Sequence, residues 1–132
     1  MRVLDANFLI DYLSGHPATE TYYKSNGGEE ELWVMPAPAH AEALVGVGNL
    51  PSGDLEEAVE ALSWGKIYEI NGDLSVDAGR IADEIGPEGP YLDGVDALVA
   101  AVGRELDATV VSADGDLTHE ETKRVIDVEE YR

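Results

Sequence analysis

The segment that decides the fold is Arg2-Val3-Leu4-Asp5-Ala6-Asn7-Phe8-Leu9-Ile10-Asp11-Tyr12-Leu13. Residues 2–5 have the pattern of a buried strand that ends in Asp5, and residues 8–13 have helical spacing. Asn7 is a candidate N-cap of that helix. A strand followed at once by a helix is the first half of a βαβ unit, so we expect a parallel sheet.

The same alternation continues along the chain. We predict further strands at 32–35, 67–70, 109–111 and 124–128, and helices at 18–25, 39–47, 54–62, 74–85 and from 93 or 95 to 106. Short apolar strands between helices predict an α/β fold whose parallel sheet is covered on both faces. Because we find no linker or repeat, we expect residues 1–132 to form a single domain.

The charge of the chain is extreme, with 28 acidic against 8 basic residues and a formal net charge of −20. The acids are interspersed with periodic apolar residues, which argues against a disordered acidic protein. A nucleic-acid mimic or a chaperone of basic partners would also be acidic. We prefer adaptation to a salt-rich, haloarchaeal type of cytoplasm, because the Debye length at molar salt is only about 3 Å and repulsion from RNA would be weak.

The chain has no cysteine, which excludes disulfides and thiolate metal sites. No apolar run approaches the roughly 18 residues of a membrane span, and the first residues do not have the pattern of a secretory signal. We therefore expect a soluble cytoplasmic protein without a membrane partner.

Position separates a few acids from the many on the surface. Ligand sites of open parallel sheets lie outside the carboxyl ends of strands, and Asp5 and Asp114 each follow a predicted strand. Asp96 begins a helix whose next six residues are apolar, and Glu42 has small or apolar helical neighbours. Four carboxylates in one pocket need a cation to stay ionised, so they predict a divalent metal site.

Each of these acids also has a structural alternative. Asp5 and Asp96 could stabilise helix N-termini, with Asp93 as the cap of the second helix. Asp114 and Asp116 could form an Asx turn without any chemistry. Ser112 could orient a carboxylate or a phosphate.

Other features carry weaker functional signals. The histidines at 16, 40 and 119 are too scattered for a metal motif, so we expect structural or exposed positions. Gly46-Val47-Gly48 ends a predicted helix and is expected to be a C-cap and not part of a dinucleotide fingerprint. The tyrosines at 12, 22 and 23 are candidates for a partner surface.

Four segments together resemble a PIN-domain ribonuclease and are most similar to the VapC-type toxins. They are Leu4-Asp5-Ala6-Asn7-Phe8-Leu9-Ile10-Asp11, the helix with Glu42, Asp96-Ala97-Leu98-Val99-Ala100-Ala101, and Val111-Ser112-Ala113-Asp114-Gly115-Asp116. Members often have Thr in place of Ser112 and an aromatic residue in place of Leu117. Neither difference removes an acid.

The resemblance implies a three-layer α/β/α sandwich with a parallel five-stranded sheet. It implies catalytic and metal-binding roles for Asp5, Glu42, Asp96 and Asp114, with Asp116 adjoining the metal. It also implies polar support from Asn7 and Ser112.

The activity that the resemblance implies is hydrolysis of single-stranded or looped RNA with Mg²⁺ or Mn²⁺. A bound metal would lower the pKa of a water and stabilise the charge that develops on the phosphodiester. The resemblance also implies a homodimer and a cognate antitoxin, whose Arg could displace the metal from the carboxylates. We assign possible phosphate contacts to Arg80, Arg104, Lys123 and Arg124.

Other functions remain open at the level of sequence. A PIN-domain nuclease could act in RNA processing outside a toxin system, and a PIN-like binding module could have lost catalysis. A phosphatase of the haloacid-dehalogenase type would require Asp-x-Asp after the first strand, where this chain has Asp5-Ala6-Asn7.

Overall fold

The computed structural model describes all of residues 1–132 and contains one parallel sheet of five strands. The strands are β1 (Arg2–Leu4), β2 (Trp33–Pro36), β3 (Lys66–Tyr68), β4 (Thr109–Ser112) and β5 (Val128–Glu130). Their order in the sheet is β3-β2-β1-β4-β5. The chain therefore builds outward from β1 to β3 and then returns to add β4 on the other side of β1. The switch point of this sheet lies between β1 and β4.

Seven α-helices connect the strands. They are α1 (Ala6–Leu13), α2 (Pro17–Ser25), α3 (Ala37–Gly48), α4 (Leu55–Ala61), α5 (Gly72–Ile85), α6 (Gly94–Glu105) and α7 (Glu120–Lys123), with a 3₁₀ turn at Gly28–Glu30. Every residue of β2 is buried, as are most of β1 and β4. Strands buried on both sides require helices on both faces, so the predicted α/β/α sandwich is confirmed. None of the helices has the length and apolar character that a membrane span requires.

The register of the central strands aligns their carboxyl ends. Leu4 of β1 lies beside Val111 of β4, and the backbone N–H of Asp5 donates to the carbonyl oxygen of Val111 at 3.1 Å. The residues that follow β1 and β4 therefore lie side by side at one edge of the sheet. We call this edge the carboxyl edge.

Helix α6 packs closely on the sheet, with six buried residues of which five belong to the hydrophobic core. Gly103 of α6 faces Val110 of β4, and a Cβ atom at Gly103 would lie 2.4 Å from Val110 Cγ2. This glycine sets how near α6 can approach β4.

Three sequence predictions about local structure are wrong. The last strand begins at Val128, because residues 124–127 form the turn after α7 and the amides of Val125 and Ile126 donate to the carbonyl oxygen of Thr122. Helix α1 begins at Ala6 with Asp5 as its N-cap, so Asn7 is not the cap.

Helix α3 is also longer than predicted. It runs from Ala37 through Gly48 and has Asn49 as its C-cap, so the glycines at 46 and 48 lie within its last turns and are not the cap. Neither of them has the positive φ of a left-handed cap.

We expect Gly103→Ala to lower the free energy of unfolding by about 1–3 kcal/mol, because the added methyl overpacks the contact with Val110. Gly79→Ala is the matched control, since Gly79 is a helical glycine on α5 with open space around its Cβ position. It should raise the free energy of unfolding by about 0.5–1 kcal/mol through helix propensity. Urea unfolding measures both. Equal stability of the two variants would contradict the close packing of α6.

Candidate metal and active site

Asp5 lies at the centre of the carboxyl edge and is 1% exposed. Its carboxylate accepts hydrogen bonds from the backbone N–H of Ala6 at 2.7 Å and from the Ser112 hydroxyl at 2.6 Å. Burial raises the pKa of Asp5 to about 6, and these two bonds oppose the rise. The charges of Asp114 and Glu42 raise it further. Asp5 therefore has both a structural role as the cap of α1 and a position among other acids.

Ser112 connects the ends of β1 and β4. Its hydroxyl donates to Asp5 Oδ2 and accepts from the backbone N–H of Asp114 at 2.9 Å. Ser112 is fully buried, so both partners of the hydroxyl come from the protein. The side chain orients the Asp5 carboxylate and the turn that carries Asp114.

Asp114 forms an Asx turn after β4. Its Oδ2 atom accepts from the backbone N–H groups of Asp116 and Leu117 at 2.9 and 3.0 Å. Oδ1 of Asp114 makes no hydrogen bond within the chain and remains able to bind a ligand. Asp114 therefore forms the Asx turn that the sequence analysis gave as its structural role, and this turn leaves one carboxylate oxygen free. Asp116 is exposed beside it.

Asp96 lies in the first turn of α6, whose N-cap is Asp93. The Asp93 carboxylate accepts from the backbone N–H of Asp96 at 2.8 Å, while the side chain of Asp96 makes no hydrogen bond or ion pair. The pKa of Asp96 is raised to about 8. Burial is the largest cause, and the negative charges of Asp5, Asp114, Asp93 and Glu42 add to it. These shared effects place five acids within electrostatic reach of one another.

Glu42 and Asn7 differ from the sequence expectation in their surroundings. Glu42 is exposed on α3 and makes no hydrogen bond, although its small neighbours predicted a more enclosed side chain. The structure instead brings its charge to the margin of the group that contains Asp5 and Asp96. Asn7 is half-buried in the first turn of α1 and makes no side-chain hydrogen bond.

No basic side chain of the protein neutralises these acids. Seven of the eight Lys and Arg residues form ion pairs with other carboxylates, which are Arg2–Glu31, Lys24–Glu20, Arg80–Asp77, Arg104–Glu84, Lys123–Glu130, Arg124–Glu121 and Arg132–Asp11. All four residues proposed as phosphate contacts are among them. None of the four pairs with an acid of the carboxyl edge.

The side chains as placed do not form a closed metal cage. No group of three or more acids or histidines is close enough to hold an ion directly. Asp5 is hydrogen-bonded within the protein, and unneutralised carboxylates repel one another. The donor set still fits Mg²⁺ or Mn²⁺, because these hard ions prefer carboxylate oxygens and Mg²⁺ retains several waters that can bridge to them. Asp96, Glu42 and Oδ1 of Asp114 are the oxygens free to do so.

Two histidines have a structural role that the sequence analysis did not identify individually. Nδ1 of His16 accepts from the backbone N–H of Ala18 at 3.1 Å, and Nδ1 of His119 accepts from that of Glu121 at 3.0 Å. Both are N-caps, of α2 and α7. Pro17 directly after His16 was the available signal, since Pro is favoured at the first helical position.

One cavity of the molecule lies apart from the carboxyl edge, because none of its lining residues is an acid of that edge. It has a volume of about 480 Å³ between α1 and α2, and its lining includes Tyr12, Tyr23 and Trp64. Two of the three tyrosines proposed for a partner surface therefore line one concavity. Tyr22 is buried instead and packs edge-on against Phe8, with ring centroids 6.1 Å apart.

Comparison with known proteins identifies one sequence family and a group of similar structures. The family model of the PIN domain matches residues 2–122. No curated protein matches the sequence significantly.

Three solved structures illustrate the similarity of fold. A toxin–antitoxin complex from Klebsiella pneumoniae has a TM-score of 0.80 at 17% identity, covering 100% of this chain and 98% of that one. VapBC2 from Rickettsia felis, bound to a promoter DNA fragment, has a TM-score of 0.81 at 18% identity, covering 99% and 98%. VapC20 from Mycobacterium tuberculosis, a toxin that cleaves the sarcin–ricin loop, has a TM-score of 0.70 at 17% identity, covering 89% and 93%.

The raised pKa values predict that metal-free protein loses stability as pH rises. Asp5 and Asp96 hold protons in the folded state above their ordinary pKa of 3.8, so the folded protein binds more protons than the unfolded chain between about pH 4 and pH 8. The stabilising contribution is present below that window and is lost as pH rises through it. In molar KCl with EDTA, the Tm should be lower at pH 8 than at pH 5. In samples with Mg²⁺ in place of EDTA, the Tm should rise, and the rise should be largest at pH 8.

The matched variants for this experiment are Asp96→Asn and Asp83→Asn. Asp96→Asn should remove much of the pH dependence of the Tm, because the amide does not titrate. It should also reduce the rise in Tm caused by Mg²⁺, because the amide carries no negative charge. Asp83 is an exposed acid of α5, and its substitution should leave both unchanged. Thermal unfolding followed by circular dichroism measures the Tm. A pH dependence equal in all three proteins would show that Asp96 is not electrostatically coupled to the other acids.

We expect Ser112→Ala to lower the free energy of unfolding by about 1–3 kcal/mol, because Asp5 and the amide of Asp114 lose a buried partner. Mg²⁺ affinity should fall by about 10–100-fold, as for other residues that orient metal ligands. Ser14→Ala, which removes an exposed hydroxyl donating to a backbone carbonyl oxygen, should change stability by less than about 0.5 kcal/mol. Urea unfolding and Mg²⁺ titration calorimetry measure the two effects.

Proposed function

Because the chain belongs to the PIN-domain family, we propose that it is a nuclease which hydrolyses single-stranded or looped RNA with Mg²⁺ or Mn²⁺. One observation supports this above the rest: Asp5, Asp96 and Asp114 come together at the carboxyl edge without any basic side chain to neutralise them. A group of acids in this state binds cations. The switch point between β1 and β4 is also where open parallel sheets bind ligands.

The proposed roles follow from which oxygens are free. Asp96, Glu42 and Oδ1 of Asp114 would hold the metal, with Asp116 beside them. Asp5 would join them through the lone pairs that its two hydrogen bonds leave free, and Ser112 would fix the geometry, because its hydrogen bond to Asp5 joins the ends of β1 and β4. The bound ion would supply an activated water and stabilise charge on the phosphodiester. We assign Asn7 a supporting role through its place in the first turn of α1.

We further propose that this nuclease is the toxin of a toxin–antitoxin pair and acts in the cytoplasm. The solved structures of similar fold include toxin–antitoxin complexes. Asp96 and Glu42 have no partner within the chain, so an arginine of an antitoxin could pair with them and exclude the metal. Without an antitoxin gene beside its own, the same chemistry would serve RNA processing.

We also propose that residues 1–132 act as one domain that assembles as a homodimer. One apolar core includes residues from β1 to Tyr131. Val45 on α3 and Val76 on α5 are 60% and 53% exposed and offer apolar surface for a second copy.

The test is cleavage of a labelled RNA that contains a single-stranded loop, in about 0.2 M and about 2 M KCl. Mg²⁺ should permit cleavage and EDTA should abolish it. Asp5→Asn and Asp96→Asn should each lower kcat by more than the roughly 10–100-fold expected for a residue that only orients a metal ligand. The reason is that these substitutions alter the proposed ligands themselves.

The control is Asp83→Asn, which should cleave at the rate of the unsubstituted protein. Cleavage that persists in EDTA, or that neither substitution at the carboxyl edge affects, would contradict the proposed function. RNA that is bound but never cut would favour the non-catalytic binding module.

A further inference from the structure

Tyr91 is the one aromatic residue that the fold leaves in solvent. The residue is 93% exposed, whereas the two tryptophans, the phenylalanine and the other tyrosines are buried or half-buried. A ring this exposed contributes almost nothing to the core. Single exposed apolar residues are common, so its position must decide whether it has a role.

The backbone that carries Tyr91 is well anchored. Leu92, the next residue, packs against the core, and Pro90 before it has a fixed φ. Gly89 lies so close to the end of α5 that a Cβ atom would meet Ile85 Cγ2 at 2.3 Å. The ring is therefore presented by a segment fixed on both sides.

Tyr91 also lies next to the proposed active site. It precedes by two residues Asp93, which caps α6 and accepts from the amide of Asp96. Since a residue spans at most about 3.6 Å, the Cα atoms of Tyr91 and Asp93 are no more than about 7 Å apart. Tyr91 therefore lies near the N-terminus of α6, the helix that carries Asp96.

The usual source of RNA affinity is largely taken up by ion pairs within the protein. Proteins commonly bind nucleic acid through Lys and Arg contacts to phosphates. Here seven of the eight basic side chains are paired with carboxylates, and the eighth, Lys66, lies at the start of the edge strand β3. Contacts other than charge would therefore strengthen substrate binding beyond what the metal provides.

We propose that Tyr91 is a positioning residue that stacks on an unpaired nucleobase of the RNA and holds the adjoining phosphodiester at the carboxyl edge. The inference rests on the proposed nuclease function. Stacking of a base on an aromatic ring contributes about 1–3 kcal/mol and works with any base. Unlike a phosphate contact it is not screened, so it suits a protein of net charge −20 in a salt-rich cell.

The experiment compares Tyr91→Phe, Tyr91→Leu and Tyr91→Ala in steady-state cleavage of a short single-stranded RNA. Ala and Leu should raise KM by about 5–150-fold with little change in kcat, and Phe should behave like Tyr. The ratio of the KM of Tyr91→Ala to the KM of the unsubstituted protein should be the same in about 0.2 M and about 2 M KCl. Leu50→Ala is the control, because Leu50 is 59% exposed but follows the far end of α3.

A scan of the RNA with single abasic nucleotides identifies the stacked base. One position should lower kcat/KM in the unsubstituted protein and have no further effect in Tyr91→Ala, because both changes remove the same contact.

The outcomes separate this inference from the nuclease proposal. Active protein in which Tyr91→Ala leaves KM unchanged, or in which Leu replaces Tyr without loss, would overturn the stacking role and leave the nuclease intact. Protein that cleaves no RNA under any condition would overturn both.

Discussion

The hydrogen bond between Ser112 and Asp5 is the interaction on which the rest of the site depends. It spans 2.6 Å between residues 107 positions apart and joins the ends of two neighbouring strands. Because Asp5 also caps α1 and Ser112 also receives the amide of Asp114, one contact fixes a helix start, a strand pair and a turn. A buried carboxylate without such partners would be costly. The same residues that close the fold therefore orient the acids.

The acids of the carboxyl edge have no basic side chain beside them. The fold pairs nearly all of its few cations elsewhere and leaves the carboxyl edge to acids alone. Burial, with the charges of these acids added to it, raises the pKa of Asp96 to about 8. A divalent ion would relieve the repulsion that the fold creates. The many surface acids act differently, because they are solvated and screened by salt. Net charge alone therefore says little about the partner, while the local absence of cations says a great deal.

The comparison of sequence and structure shows which signals are local. The parallel sheet and most helices were predictable, because apolar spacing and breakers act within a few residues. The last strand was misplaced, since Val125 and Ile126 have a strand-like pattern but form a turn after α7. Asn7 was mistaken for a cap because Asp5, two residues earlier, can cap and still belong to the site. The ion pairs of Arg104 with Glu84 and of Arg2 with Glu31 could not be foreseen, because the partners lie far apart in sequence.

The sequence by itself determined the order of strands and helices and named the acids that follow strands or begin an apolar helix. Only the tertiary structure decided which of the 28 acids lie close together. It showed that Asp114 keeps one oxygen free, that Glu42 is exposed, and that Tyr91 alone among the Phe, Trp and Tyr rings remains in solvent. The physical reason is that periodicity reports which face of an element is buried, whereas distances between elements are set by strand pairing and helix packing across the whole chain.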